Sequence, residues 1–136
     1  MGDIDGDSDF DVITANSSSN SVSVLQNNGD GTLGRNSEYA VKLAPFSVAT
    51  GDVNRDGFQD AVVAGFGLAY GFDSDYYSVL LGDGEGNFTV TDYEVAVGSD
   101  FVALEDLNGD DNLDMVTTSA ALNRVATGEW RWQFCA

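Results

Sequence analysis

The sequence predicts an all-β fold assembled from repeated antiparallel strand units, and three observations predict it. Glycine is abundant at 16 residues while proline occurs once, and the glycines lie beside Val-rich runs, the pattern of short strands joined by tight turns. An acidic segment recurs three times, as "DIDGDSDFD" (3–11), "DVNRDGFQD" (52–60) and "DLNGDDNLD" (106–114), with starts 49 and 54 residues apart. Each copy leads into a short apolar run rich in β-branched residues, "FDVITA" (10–15), "QDAVVA" (59–64) and "LDMVTT" (113–118).

The strands follow from these repeats in order. "FSVATGD" (46–52) and "FVALEDL" (101–107) alternate in strand fashion into the second and third acidic loops. "SVLQNNGDGTL" (23–33) aligns with "SVLLGDGEGNF" (78–88) at a spacing of 55, each a strand, a glycine turn and a returning strand. The glycines stand where positive φ is needed. A six-residue insertion around 65–75 separates the two spacings. In the third copy, Trp130, Trp132 and Phe134 alternate in "GEWRWQFCA" (128–136), which predicts that copy's next strand.

One repeat is therefore strand, acidic loop, strand, variable loop, strand, glycine turn, strand. About 50 residues in four antiparallel strands is the sequence form of a propeller blade. Residues 1–45 form a partial first blade without its opening strand, 46–97 a complete second blade, and 98–136 a third without its closing strand. Blades cover one another's apolar faces, so a ring needs more repeats than 136 residues supply. The expected partners are remaining blades in a longer parent chain or further copies of this one.

Each acidic segment reads as a calcium loop (3–11, 52–60, 106–114). Ca²⁺ takes 6–8 oxygen ligands, and oxygens at positions 1, 3, 5 and 9, with the backbone carbonyl of position 7, can wrap one ion. The first loop offers Asp3, Asp5, Asp7, the Asp9 carbonyl and Asp11; the second Asp52, Asn54, Asp56, the Phe58 carbonyl and Asp60; the third Asp106, Asn108, Asp110, the Asn112 carbonyl and Asp114. Gly57 at position 6 permits a sharp turn, where the other copies have Ser8 and Asp111, so the middle loop fits the pattern best. The competing reading is three solvated Asp-rich turns. Three copies in register, each between strand-like runs, outweigh it, because carboxylates crowded into one loop repel without a counterion. Three Ca²⁺ would move the net charge from −18 to −12.

The other chemistries are disfavoured. Mg²⁺ keeps its waters and demands an octahedron. The chain has no His and one Cys, which removes His-ligated zinc and any internal disulfide. An EF-hand needs an acid at position 12, where Thr14, Val63 and Thr117 stand. A β-roll needs glycine-rich nonapeptides in tandem, and "GDGEGNF" is a single unit. A charge of −18 repels nucleic acid and anionic membranes. No apolar run approaches a membrane span, and no signal peptide stands at Met1.

These residues, above all "PFSVATGDVNRDGFQDAVVA" (45–64) and "SVLLGDGEGNF" (78–88), resemble the FG-GAP or VCBS-type repeat family, which includes integrin α-subunit head domains. The resemblance implies a β-propeller, usually seven-bladed, with structural Ca²⁺ between the first two strands of a blade. It implies an extracellular or cell-surface place and a role in adhesion or in binding a protein or carbohydrate ligand. The alternative it allows is the propeller part of a carbohydrate-active lyase or dehydratase. A catalytic site is usually unique whereas these carboxylates recur, so no enzyme activity is expected. The aromatic residues Phe66, Tyr70, Phe72, Tyr76 and Tyr77 lie in or beside the insertion. They line a ligand site or pack between blades, and packing is the expectation for Tyr76, Tyr77 and Trp130.

Overall fold

In the computed structural model, which describes residues 1–42, 44–65, 75–95, 100–119 and 124–128, the architecture is all-β and antiparallel, as the repeats predict. Three sheets form in chain order. The first holds β1 (Val12–Asn16), β2 (Ser21–Asn27) and β3 (Leu33–Ala40); the second holds β4 (Pro45–Gly51), β5 (Asp60–Gly65), β6 (Asp75–Gly82) and β7 (Phe88–Val95); the third holds β8 (Phe101–Glu105), β9 (Asp114–Ser119) and β10 (Arg124–Gly128). Neighbours in sequence are neighbours in the sheet throughout, the up-and-down order of a propeller blade. None of the described residues is helical, and no helix is long and apolar enough to cross a membrane.

The three acidic loops are closed identically. The residue before position 1 pairs with the residue at position 9 in every copy: Gly2 with Asp11, Gly51 with Asp60, and Glu105 with Asp114. Among the described residues, the first sheet's opening position is filled by that Gly2 bridge alone. From Phe46 to the first loop Asp is seven residues where from Phe101 it is six, and β4 absorbs the difference as a register shift between Pro45 and Ser47. Phe46 is thus the extra residue of a β-bulge, and it is exposed.

The sheets stack face to face through two apolar layers. Ile4, Ile13, Val22, Val24 and Val41 of the first unit meet Ala61, Val63 and Leu80 of the second. On the opposite face, Val62, Ala64, Tyr77 and Val79 meet Val102 and Met115 of the third. β5 is covered on both faces, which is why "DAVVAG" is apolar without alternation and buried at every position. Tyr77 lies in the second layer, in line with the packing expected of it. Tyr76 is half-buried, with Lys42 Nζ 5.6 Å from its ring centroid. Phe66, Tyr70, Phe72, Trp130, Trp132 and Phe134 lie outside the described residues.

The third unit departs from expectation. The strand that pairs with β9 is Arg124–Gly128, in register from Arg124 opposite Ser119 to Gly128 opposite Met115. The third strand therefore begins ahead of the aromatic tail on which the sequence placed it. Four residues connect β9 to this strand where nine connect β5 to β6, and residues 129–136 of the predicted strand lie outside the described residues.

Position 2 of the first two acidic loops links loop to core. Ile4 and Val53 point into the layer against the following sheet and are 1% and 7% exposed. Leu107, in the same position of the third loop, is 54% exposed. Burying such a side chain contributes roughly 1.5–3 kcal/mol.

Candidate functional site: the three acidic loops

The loop backbone repeats before its side chains are considered. Position 6 is left-handed in all three copies, at Ser8 (φ 76), Gly57 (φ 90) and Asp111 (φ 63). The departures from glycine at Ser8 and Asp111 thus leave the turn intact. Position 4 is left-handed as well, at Gly6 (φ 78), Arg55 (φ 64) and Gly109 (φ 80). Sequence reasoning missed this second reversal. Its signal was the glycine at position 4 in two of three copies, obscured by Arg55 in the third.

The carboxylate at position 1 folds the loop around itself. Asp3 accepts the N–H groups of Gly6 (2.8 Å) and Ser8 (3.1 Å). Asp52 accepts those of Asp56 (3.2 Å) and Gly57 (2.9 Å). Asp106 accepts from Asn108, Gly109, Asp110 and Asp111, and these donors hold its pKa below the ordinary value. Position 5 accepts the N–H of position 7 at 2.9 Å in each copy: Asp7 from Asp9, Asp56 from Phe58, Asp110 from Asn112. These bonds fix the N–H of the three residues whose carbonyls are the predicted ligands.

The ninth residue is set apart by burial. Asp11 and Asp60 are 0% exposed and Asp114 is 5% exposed. Asp11 Oδ2 accepts the Ile4 N–H (2.8 Å) and its Oδ1 the Asn27 N–H (2.9 Å). Asp60 repeats both bonds, with the Val53 N–H (2.9 Å) and the Gly82 N–H (2.9 Å). Burial pushes the Asp60 pKa up, the two N–H donors pull it back, and Asp56 and Asp52 add repulsion. Asp114 Oδ2 accepts the Leu107 N–H (3.0 Å).

Position 3 separates the first loop from the others. Asn54 and Asn108 accept the N–H of position 5 (3.0 and 2.9 Å), and Asn54 Nδ2 donates to Asp56 Oδ2 (2.8 Å). In the first loop the residue is Asp5, whose Oδ1 is buried with no hydrogen-bond partner. Desolvation, then repulsion from Asp11, Asp7 and Asp3, raises its pKa, offset in part by the Asp7 backbone N–H. Carboxylate oxygens of Asp3, Asp5 and Asp11 lie within 4.8 Å of one another. Among the described residues, this convergence of three acids falls in the first loop, whereas the motif favoured the middle one. Oxygen donors alone, with one left orphaned, suit a hard cation such as Ca²⁺.

Neighbouring turns press on the loops. A Cβ on Gly84 would collide with the Phe58 ring, and one on Gly29 with the Asp9 carboxylate. Gly29, Gly31, Gly84 and Gly86 all have positive φ, as the hairpin pattern required. Arg55 Nη1 donates to Asn112 Oδ1 (3.2 Å), joining the second loop to the third.

Residues 3–63 match the family model of the FG-GAP-like repeat. That span contains the first two acidic loops and the strands through most of β5, while 78–88, the other segment that carries the resemblance, lies outside it. No curated protein and no solved structure matches the chain.

Proposed function

We propose that this chain is a calcium-stabilised segment of an FG-GAP-type β-propeller, serving as a binding or adhesion module of a larger extracellular or surface protein. The observation that carries the metal reading is the buried, unpartnered Asp5 Oδ1 among the converging carboxylates of Asp3, Asp5 and Asp11. A divalent cation there supplies the missing positive partner. The first loop would hold it with Asp3, Asp5, Asp7, Asp11 and the Asp9 carbonyl. The second and third would use Asp52, Asn54, Asp56, Asp60 and the Phe58 carbonyl, and Asp106, Asn108, Asp110, Asp114 and the Asn112 carbonyl. Asn at position 3 leaves those loops one carboxylate fewer, so the first loop binds most tightly.

The metal's part is structural. The first two loops direct position 2, Ile4 and Val53, into the layers between sheets, so fixing either loop fixes one blade against the next. Repeats of this type are in general binding units, which favours a ligand-binding role over catalysis. Calorimetric titration with Ca²⁺ tests the reading. Up to three sites are expected, with Asp5→Ala removing the tightest and Asp56→Ala a weaker one. Absence of heat in the unsubstituted chain refutes it.

A further inference from the structure

The ninth aspartate differs in kind from the other acids of its loop. Asp11 and Asp60 are fully buried, and each places one oxygen on the N–H of loop position 2 and the other on the N–H at the end of the blade's third strand, Asn27 or Gly82. The two bridges are alike to within 0.1 Å in two sheets of different loop length. We infer that Asp11 and Asp60 are metal-independent clasps: positioning residues that tie the acidic loop to the third strand and hold Ile4 and Val53 in the inter-sheet layer.

Three observations support the assignment. Both oxygens of each side chain are satisfied by backbone donors without any cation, unlike Asp5 Oδ1. Ile4 and Val53, whose N–H groups Asp11 and Asp60 hold, also carry the side chains that plug the core, whereas Leu107, held by Asp114 through one bond, is exposed. The strand end is built for close approach at Gly82, where a Cβ would collide with the Gln59 backbone carbonyl. Each carboxylate oxygen keeps a second lone pair, so the clasp can also face a cation. That part rests on the calcium reading, while the clasp does not.

The test uses the full chain in Ca²⁺ and in chelator, reading thermal melts and residue-resolved amide exchange. Asp60→Asn puts an amide N–H₂ against a backbone N–H, so its melting temperature falls by roughly 5–10 °C in both conditions. The Val53 and Gly82 amides then exchange at least about tenfold faster while those of the first sheet are unchanged. Asp56→Asn, by contrast, lowers the melt in Ca²⁺ alone. Should Asp60→Asn fail to fold, the unsubstituted chain in chelator decides: protected Val53 and Gly82 amides support the clasp. Exchange there at the rate of exposed loop amides overturns it, as does an Asp60→Asn melt equal to that of the unsubstituted chain in chelator. An Asp56→Asn melt unchanged in Ca²⁺ counts against the calcium reading and leaves the clasp standing.

Discussion

Ser8 and Asp111 each hold a left-handed backbone that glycine adopts freely, at φ 76 and φ 63. A non-glycine residue in that region costs about 1–2 kcal/mol, partly offset by glycine's greater entropy loss on folding. Ser8→Gly is therefore expected to raise the melting temperature by a few degrees. Gly57→Ala is expected to lower it, although a Cβ there meets nothing within 4 Å. A melt of each variant separates this conformational effect from packing. Asp5 carries the charge prediction. Its raised pKa means its contribution to stability is fully present below the ordinary value of 3.8 and is lost as pH rises through the folded value. Asp60 acts in the same sense. The metal-free chain thus loses stability from these two groups as pH climbs above 3.8, and Ca²⁺, which favours the charged forms, suppresses that loss. Melts against pH with and without chelator check the sign. The alternating oxygens were legible at this scale because ligand spacing is a local property of sequence. The bond of Asp60 to the Gly82 N–H was not, since it joins residues 22 apart.

At the scale of elements, the first two acidic loops are also packing devices. Ile4 sits in the first layer at 1% exposure while Leu107, its third-copy equivalent, is 54% exposed. Ile4→Ala is expected to cost roughly 2–5 kcal/mol, against at most about 0.5 kcal/mol for Leu107→Ala in this chain. Denaturant unfolding of the two variants measures the difference. The strands around the loops were readable because β-branched runs and glycine turns recur in phase. Two element-level features were harder to read. The β4 bulge at Phe46 looks in sequence like a one-residue slip between copies. The third strand of the last unit, Arg124–Gly128, carries a weak apolar pattern in "RVATG", so the aromatic alternation after it drew the assignment.

For the whole molecule, 23 acidic residues against 5 basic ones must coexist with three closely stacked sheets. The stacking is apolar, through two layers on either side of the middle sheet. Much of the acidity is confined to loops at one end of the strands, where backbone N–H groups absorb part of it. The repeat made the layered architecture legible, because a unit of four strands buries its faces only by stacking on its neighbours. If calcium fills the loops as proposed, cations offset a further part of that charge and lock the blades together. The most direct test is the melting temperature of the unsubstituted chain at neutral pH, in saturating Ca²⁺ and in excess chelator. A ligand that binds the folded form alone at 100 times its dissociation constant adds about 2.7 kcal/mol per site. Structural calcium predicts a rise on the order of 10 °C in Ca²⁺, reduced by Asp5→Ala. Coincident melts with Ca²⁺ and with chelator would contradict it.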